Sequence, residues 1–339
     1  AYLRSRGGDA GASARYTTDT NGAFEIVPDR ERGHVLRQQI DVLHAGNTWI
    51  EGDPRTAIGD MRWTNYRVSV DVKFEDYAGR APYVLLDARE MGGDKFTTDI
   101  CGYDFKLRAD GIWLLRRYGD EKRRGHFEDL RKSASRAGKQ VFPRGSGRWF
   151  TLTLAVAGAC VSVWINGALV TSWTDECPQS AGRVNLGTSF DHVRFSNLRV
   201  ERVKGFSPYY TSLIDDMHMV SWDDSRSPII RYDGDWLHLN GQGMFTYMRS
   251  ISKTSNPGSS VTHTFLGTGL DVFGPSNGSV HLNVIVDGKA FAENMPTMPT
   301  GGALRTQLRI EGLPRGKHTV MLQLANHATW SVDALGVLA

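Results

Sequence analysis

Tryptophan is the residue type in this sequence whose number and surroundings point most directly to chemistry. The chain has nine Trp among its 339 residues. Trp49 in "GNTWIEGD" and Trp63 in "GDMRWTNYR" stand in turn-like stretches beside Asn, Asp and Arg. A flat indole ring can stack on the C–H face of a sugar while polar neighbours hydrogen-bond the hydroxyls. We extend this hypothesis to three aromatic residues of the second half of the chain, Trp236, Tyr247 and Trp330.

Each of these rings also has a purely structural interpretation. Aromatic residues favour strands, so packing in a core or on a sheet face is the alternative for every candidate. Four further Trp lie within strand-like patterns, and we assign them to the framework: Trp113, Trp149, Trp164 and Trp173. An exposed ring in the folded protein would separate the two interpretations.

Aspartates near both ends of the second half of the chain are candidate metal ligands. Asp333, with Asp216 or Asp223, could place carboxylate oxygens where the first and last strands meet, and Ca²⁺ prefers such ligands. The alternative is turn and cap chemistry, in which Asp is favoured anyway. Sequence neighbours on a strand point to opposite faces, so the adjacent pairs Asp215-Asp216 and Asp223-Asp224 do not converge on one bond as glycoside hydrolysis requires.

Motifs of known catalytic sites are missing from the sequence. It has no HExxH, GxSxG or P-loop pattern, and its ten His are scattered without metal-ligand spacing. We therefore predict that this chain has no catalytic activity on its own.

A basic run extends from Lys122 to Arg148. A solvated loop is one interpretation, and a groove for an anionic glycan such as a uronate or a sulfated chain is the other. A polysaccharide lyase could use such a run, but the Gln, His, Tyr and Arg cluster expected of one is missing. Nucleic acid is not an expected partner, because no nucleic-acid-binding signature accompanies the charge.

Alternation with a period of two dominates the sequence from residue 67 onward. In "RVSVDVKFE" (67–75) every second residue is apolar, which predicts a half-buried strand. The stretch "FTLTLAVAGACVSVWINGALV" (150–170) predicts strands separated by Ala157-Gly158 and by Asn166-Gly167, a favoured hairpin turn. "YDFKLRADGIWLLRRY" (103–118) predicts two strands that turn at Gly111. The polar stretch 119–139 predicts one short helix or none.

The strand pattern stops near "VERVKGFSPYYTS" (200–212) and a second set of short strands follows. We predict an all-β protein of two domains, a β-sandwich over residues 1–204 and a second β-sandwich of the jelly-roll type over residues 205–339. No stretch has the roughly 18 apolar residues of a membrane span. Of the three Cys, we expect Cys160 to be a core residue and leave a Cys101–Cys177 disulfide open.

The first predicted domain resembles a known family. The succession "GAFEIV", "GDMRWTNYRVSVDVKF", "GIWLL", "GRWFTLTLAVAGACVSVWINGALV" and "GRVNLGTSFDHVRFSNLRVE" resembles the C-terminal lectin-like domain of galactocerebrosidase-type β-galactosidases over about residues 15–203. The resemblance implies a concanavalin/laminin-G-like sandwich that accompanies a catalytic barrel carrying both catalytic carboxylates. The second predicted domain is similar to the galactose-binding-type jelly rolls of bacterial carbohydrate-active enzymes.

The same resemblance implies site residues. It places Trp63 at the rim of a galactose pocket, with Asp60, Arg62 and Asn65 at the edge of the sugar. It also implies a calcium ligand at Asp19 and a second at Asn197. The family has Asp beside the second of these positions, where this chain has Ser196.

Together these observations predict a function. We expect a secreted, non-catalytic tandem that binds galactose-containing glycans and works with a glycoside hydrolase barrel in the same or a companion chain, with calcium as a structural ion. The alternative is a subunit or fragment that completes the active site of a β-galactosidase whose catalytic carboxylates lie on that barrel.

Overall fold

A computed structural model of the chain describes residues 12–13, 17–20, 22–41, 52–75, 81–91, 102–120, 123–133, 147–176, 181–218, 229–242, 246–300 and 305–339. Throughout these ranges the regular structure is β-strand, apart from a single turn of 3₁₀-helix at Tyr247–Arg249. This confirms the predicted all-β class. No helix in the described ranges is long and apolar enough to cross a membrane.

Contacts within the chain divide it into two compact units, whose main parts are the residues up to Phe206 and the residues Ser207–Ala339. The first unit contains fifteen described strands: β1 Ala12–Ser13, β2 Thr17–Thr20, β3 Phe24–Asp29, β4 Gly33–Gln38, β5 Arg55–Ile58, β6 Tyr66–Phe74, β7 Tyr83–Glu90, β8 Gly102–Arg108, β9 Trp113–Asp120, β10 Arg123–Lys132, β11 Phe150–Ala157, β12 Cys160–Ile165, β13 Ala168–Thr174, β14 Arg183–Thr188 and β15 Val193–Arg202.

These strands form two sheets. One has eight strands in the order β1-β3-β4-β15-β6-β11-β12-β13, and the other has seven in the order β10-β9-β8-β7-β14-β5-β2. The central pairing of the eight-stranded sheet follows the sequence pattern, because β11 pairs antiparallel with β6 so that Leu152 faces Val70 and Leu154 faces Val68. All four of these side chains are fully buried in the core that both sheets line.

The turns form where glycine permits a left-handed backbone. Asn166 has a φ of 50° and Gly167 a φ of 78°, which is the backbone of a tight hairpin between β12 and β13. Gly111, with a φ of 92°, turns β8 into β9. Both turns confirm positions at which the sequence predicts them.

Two details of the first unit differ from the sequence predictions. Residues 123–132 form strand β10 beside β9, where a short helix or a loop was expected, because hydrogen-bonding to a sheet edge compensates for weak apolar periodicity. Cys160 is a half-buried free thiol, because the alternation of β12 puts it on the face that carries Ser162 and opposite Val161. Cys101 and Cys177 lie outside the described residues.

The second unit contains twelve described strands: β16 Tyr210–Asp215, β17 Ile230–Asp233, β18 Leu237–Asn240, β19 Ser250–Thr254, β20 Ser260–Gly267, β21 Gly269–Phe273, β22 His281–Val286, β23 Lys289–Pro296, β24 Thr306–Ile310, β25 Gly316–Leu324, β26 Trp330–Val332 and β27 Ala334–Leu338. They form three antiparallel sheets, in the orders β16-β27-β21-β24, β17-β20-β25-β22-β23 and β18-β19-β26. The first strand of the unit, β16, pairs with the last, β27, as the terminal pattern suggested.

The core of the second unit draws on all three sheets. Val272 and Val337 contribute from the four-stranded sheet, Val284 and Leu322 from the five-stranded sheet, and Trp330 from the three-stranded sheet. Each of these side chains is at most 1% exposed. The unit therefore has a hydrophobic core of its own.

Candidate functional site

A tight turn between β5 and β6 presents Trp63. The backbone N–H of Trp63 donates to the carbonyl of Asp60 at 3.0 Å, which closes the turn. Gly59, with a φ of 108°, lies flat against the indole, and a Cβ at that position would come within 2.2 Å of the ring. The turn therefore requires glycine at position 59 and holds the ring in one place.

Trp63 is half-buried and packs against the hydrophobic core of its unit. Its inner side meets Tyr66 edge-on, with ring centroids 5.8 Å apart. The hydroxyl of Tyr66 lies 3.0 Å from the carbonyl oxygen of Arg183 and accepts from the N–H of Arg89 at 2.6 Å. The wall behind the indole is thus fixed by hydrogen bonds that cross from β6 to the seven-stranded sheet.

Asp60 and Arg62 form an exposed ion pair beside Trp63. The guanidinium donates to both carboxylate oxygens of Asp60, and the side chains are 50% exposed for Arg62 and 34% for Asp60. The hydrogen bonds from Arg62 lower the pKa of Asp60 against the opposing effect of partial burial. The pair therefore stays ionised and offers both donors and acceptors next to a flat ring.

Asn65 does not fit its predicted contact with sugar hydroxyls. Its side chain is only 8% exposed, and its Oδ1 accepts from the backbone N–H of Gly158 at 2.7 Å. The interpretation as a sugar ligand is therefore wrong, and Asn65 fastens the turn to the β11–β12 connection instead. Trp49 lies outside the described residues.

Comparison with known proteins decides the family of this unit. A family described as "Galactocerebrosidase, C-terminal lectin domain" matches residues 19–203, more than half of the chain. The chain belongs to this family. Its first unit is therefore a lectin-type domain of a glycoside hydrolase family, and we refer to it below as the lectin domain.

Full-length relatives bear the name galactocerebrosidase. The protein from Mus musculus is 27% identical over 197 residues, which are 55% of this chain and 26% of the relative. The protein from Danio rerio is 26% identical over 199 residues, 56% of this chain and 27% of the relative. The chain thus spans about a quarter of the length of the curated relatives it matches.

Among solved structures, the carbohydrate binding module CBM66 from Bacillus subtilis is similar at 15% identity and a TM-score of 0.39. The similarity covers 55% of this chain and 95% of that one.

The aromatic candidates of the second unit differ in exposure. Trp330 is fully buried in the core, so its interpretation as a sugar-stacking residue is wrong. Trp236 lies over it with ring centroids 5.2 Å apart and is half-buried, with its Nε1 donating to the carbonyl of Asp233. Tyr247 lies in the 3₁₀ turn, also half-buried. The rings of Trp236 and Tyr247 keep their predicted role as candidates.

Below these rings three aspartates form a carboxylate cluster, which we define as Asp215, Asp216 and Asp333. Asp216 donates its backbone N–H to the carbonyl of Asp333 at 3.2 Å, at the place where β16 meets β27. Ser250 donates to Asp215 and Asp216, at 3.0 and 2.6 Å, and Ser252 donates to Asp216 at 2.5 Å. Sequence analysis named Asp216 and Asp333 as candidate metal ligands and expected the neighbours Asp215 and Asp216 to point to opposite faces. That expectation is wrong, because both carboxylates accept from the hydroxyl of Ser250.

Burial and mutual repulsion control the protonation of this cluster. Burial, together with the charges of Asp216 and Asp215, raises the pKa of Asp333 to about 8 against the lowering effect of the hydrogen bond from the N–H of Tyr247. Burial and the charge of Asp216 raise the pKa of Asp215 to about 6. Near neutral pH the cluster therefore holds at least one proton.

Of the predicted metal ligands, the structure brings Asp216 and Asp333 together but not Asp19 and Asn197. Asp19 in β2 accepts hydrogen bonds from the backbone N–H of Phe24 and the hydroxyl of Thr56. Asn197 in β15 instead donates to Asp71. These two predicted ligands therefore lie in different sheets and have different partners. Asp223 is outside the described residues. Among the residues that are described, no three His, Cys, Asp or Glu side chains are arranged to hold a metal ion. Calcium stays a prediction.

A set of charged residues that sequence analysis missed lies on the seven-stranded sheet. We define the ion network as Arg55, Asp87, Asp104 and Arg116. Arg116 donates through Nε and Nη2 to Asp104 at 3.0 and 2.8 Å, and Arg55 bridges Asp104 and Asp87. The four side chains lie on β5, β7, β8 and β9 of one sheet, with β14 between β5 and β7, so cross-strand register rather than sequence distance brings them together.

Proposed function

We propose that the chain binds galactose-containing glycans through the turn around Trp63, as a non-catalytic module of a secreted β-galactosidase-type glycoside hydrolase. The observation that carries the proposal is the half-buried Trp63, held against Gly59 and flanked by the ion pair of Asp60 and Arg62. A sugar ring needs a flat apolar surface for its C–H face and charged or polar groups at its edge. This turn supplies both.

The names of the family and of its relatives support a galactose-containing glycan as the ligand. The relatives are named for a galactose-containing lipid substrate, and the matching family is described as a lectin domain. Galactose is therefore the sugar we propose for the turn around Trp63. Secretion and calcium binding belong to the same proposal and rest on the resemblance alone.

Binding of a single sugar should be weak. Few ring atoms are buried at an open turn, and each sugar hydroxyl exchanges water for protein, so we expect dissociation constants in the micromolar to millimolar range. A glycan array with the full chain, followed by calorimetric titration with the best galactoside, measures this directly.

Two substitutions test the site. Trp63→Ala should weaken galactoside binding by about tenfold or more, because the stacking surface is lost. Trp164→Ala is the matched control, since this half-buried ring carries the Arg67 guanidinium 5.0 Å above it elsewhere in the lectin domain. If binding survives Trp63→Ala and is lost with Trp164→Ala, the site lies elsewhere.

A second function is favoured by one observation, namely that the chain spans only about a quarter of its relatives. In this alternative the turn around Trp63 completes a galactose pocket whose catalytic carboxylates belong to a barrel domain in the same or a companion chain. The chain alone would then bind no galactoside. Joining it to the barrel would restore β-galactoside hydrolysis, and Trp63→Ala would reduce that hydrolysis.

A further inference from the structure

The face of the seven-stranded sheet opposite the hydrophobic core carries an open cavity whose lining includes no residue of the turn around Trp63. Along β8, Phe105 and Leu107 point into the core, so Lys106 and Arg108 lie on the opposite face. The neighbouring strands continue this face, because Tyr83 of β7 pairs with Arg108 and Leu114 of β9 pairs with Lys106. Residues far apart in sequence thus share one surface.

The cavity on this surface has a volume of about 430 Å³. This volume lies within the range of about 300–1,000 Å³ that is usual for small-ligand pockets. Its lining combines apolar and aromatic groups with three cations: Ala81, Tyr83, Lys106, Arg108, Ile112, Trp113, Leu114 and Arg116. No carboxylate is among the described residues that line it.

Two of the three cations have their charge balanced by aspartates outside the lining. Arg116 donates to the buried Asp104, and Arg108 donates to Asp110 at 2.7 Å. Lys106 is different. Its ammonium lies 3.4 Å from the centroid of the Tyr83 ring and makes no salt bridge to a carboxylate of the described chain.

Tyr83 is itself held in place. Its hydroxyl donates to Asp53 at 2.5 Å, and Asp53 also accepts from Arg55 of the ion network. Burial lowers the pKa of Lys106, partly opposed by the charge of Asp53. An anion that entered the cavity would supply the direct partner that this ammonium lacks.

We propose that this cavity binds an acidic sugar, a pyranose that carries a carboxylate or sulfate group. Lys106 pairs with the acidic group, and the aromatic and aliphatic lining packs against the ring. The inference uses the proposed function only in taking the ligand to be a carbohydrate, since it concerns a different surface and different residues.

The sharpest test compares two probes that differ only at C6, methyl α-D-galacturonide and methyl α-D-galactoside, titrated into the full chain. We expect the galacturonide to bind about tenfold more tightly, because a charge-assisted hydrogen bond replaces a neutral one. Added NaCl should narrow the difference, since the pairing is partly open to solvent. Equal affinities for the two probes would overturn the inference, and so would displacement of the galacturonide by an equal concentration of acetate.

Variants place the effect in the cavity. Lys106→Gln should remove the preference for the galacturonide, and Lys106→Arg should keep it. Lys132→Gln, on the exposed end of β10, is the matched control and should change nothing. A preference that survives in Lys106→Gln, with the fold verified by its melting temperature, contradicts the inference.

The two proposals fail separately. Loss of neutral galactoside binding with Trp63→Ala, while galacturonide selectivity persists, supports both sites. If the chain binds no neutral galactoside but shows selectivity that depends on Lys106, the proposed function fails and this inference stands.

Discussion

Buried aspartates occur in both units, and the two units neutralise them differently. In the lectin domain, burial opposes ionisation of Asp104, but the charges of Arg116 and Arg55 outweigh it and lower the pKa of that carboxyl. In the second unit, burial and neighbouring carboxylates act in the same direction and raise the pKa of Asp333 to about 8. Guanidinium groups thus hold Asp104 ionised, although burial raises the pKa of its neighbour Asp87 despite the charge of Arg55. Asp333 has no guanidinium partner among the causes of its shift and is held partly protonated.

The difference follows from which side chains the strand registers bring together. In the lectin domain, Asp104 of β8 stands opposite Arg116 of β9, so the charge is compensated across the strand pair. In the second unit, the carboxylate cluster receives hydroxyl donors from Ser250 and Ser252 and a backbone donor from Tyr247. Such neutral donors stabilise a carboxylate less than an arginine does. The carboxylate cluster should therefore make the stability of the second unit depend on pH. The ion network should make the stability of the lectin domain depend on the presence of each charged partner.

The largest effect should come from breaking the ion network. Arg116→Met keeps the bulk of the side chain but removes the nearer of the two guanidinium groups that pair with the completely buried Asp104. Removing one partner of a buried ion pair costs about 3–5 kcal/mol, and Arg55, 3.3 Å from Asp104, offsets part of that cost. Urea unfolding of the full chain should show this loss in the transition of the lectin domain.

The double variant Arg116→Met with Asp104→Asn is the control. Because it removes both charges, it should recover part of the lost stability. A loss below about 1 kcal/mol in the single variant would show that Arg116 is not needed to compensate the charge of Asp104.

The next effect concerns the carboxylate cluster and pH. In the unfolded chain Asp333 releases its proton near pH 3.8, whereas in the folded chain it keeps that proton up to about pH 8. The folded state therefore binds more protons between these values, and the stability of the second unit should be greatest at acidic pH and fall as the pH rises through 8.

Asp333→Asn should remove much of this pH dependence and raise stability at pH 8.5 by on the order of a few kcal/mol. Thermal melting of the wild-type chain and the variant, at roughly unit steps of pH between 5 and 8.5, measures this change in the pH dependence of stability. The exposed Asp233→Asn serves as the control and should leave the pH profile unchanged. A wild-type profile that rises from pH 5 to pH 8.5 would contradict the assignment of a raised pKa.

A smaller effect should follow from removing one hydroxyl donor of the cluster. Ser252→Ala takes away the hydrogen bond to Asp216 and leaves a buried acceptor without it, which costs about 1–3 kcal/mol. The loss should be larger at pH 8 than at pH 5, because the hydroxyl stabilises the ionised form of Asp216 more than the neutral one. Ser255→Ala, an exposed serine one residue beyond β19, is the matched control. Equal losses at both pH values would show that Ser252 acts by packing alone.

The sequence predicts the strands of this protein well, since the alternation in "RVSVDVKFE" and the turn at Asn166-Gly167 are local signals that the structure confirms. It predicts a turn at Trp63, because a turn and its aromatic residue are contiguous in the chain. Sugar binding by that turn stays a prediction. It predicts the meeting of Asp216 and Asp333 only through the general tendency of first and last strands to pair.

What the sequence does not predict depends on register. "YDFKLR" already places Asp104, Lys106 and Arg108 on one face of a strand, but nothing local shows that Tyr83 and Arg116 join them. The burial of Trp330 is equally invisible, because "ATWSVDALG" suits both an exposed and a buried ring. These assignments need the packing of strands that are distant in sequence.

The smallest effect should come from the exposed ion pair beside Trp63, and it tests whether burial is the decisive variable. Asp60→Asn breaks a bidentate pair whose geometry is as good as that of Arg116 with Asp104, yet the side chains of Asp60 and Arg62 are 34% and 50% exposed. Water and counterions replace much of the lost interaction, so the free energy of unfolding should fall by less than about 1 kcal/mol.

Urea unfolding measured beside Arg116→Met gives the comparison, and Arg62→Gln should reproduce the small value from the other partner. A loss for Asp60→Asn as large as that for Arg116→Met would show that the geometry of the pair, rather than its removal from water, sets the energy. A small loss combined with weaker galactoside binding would assign Asp60 and Arg62 to recognition instead of stability.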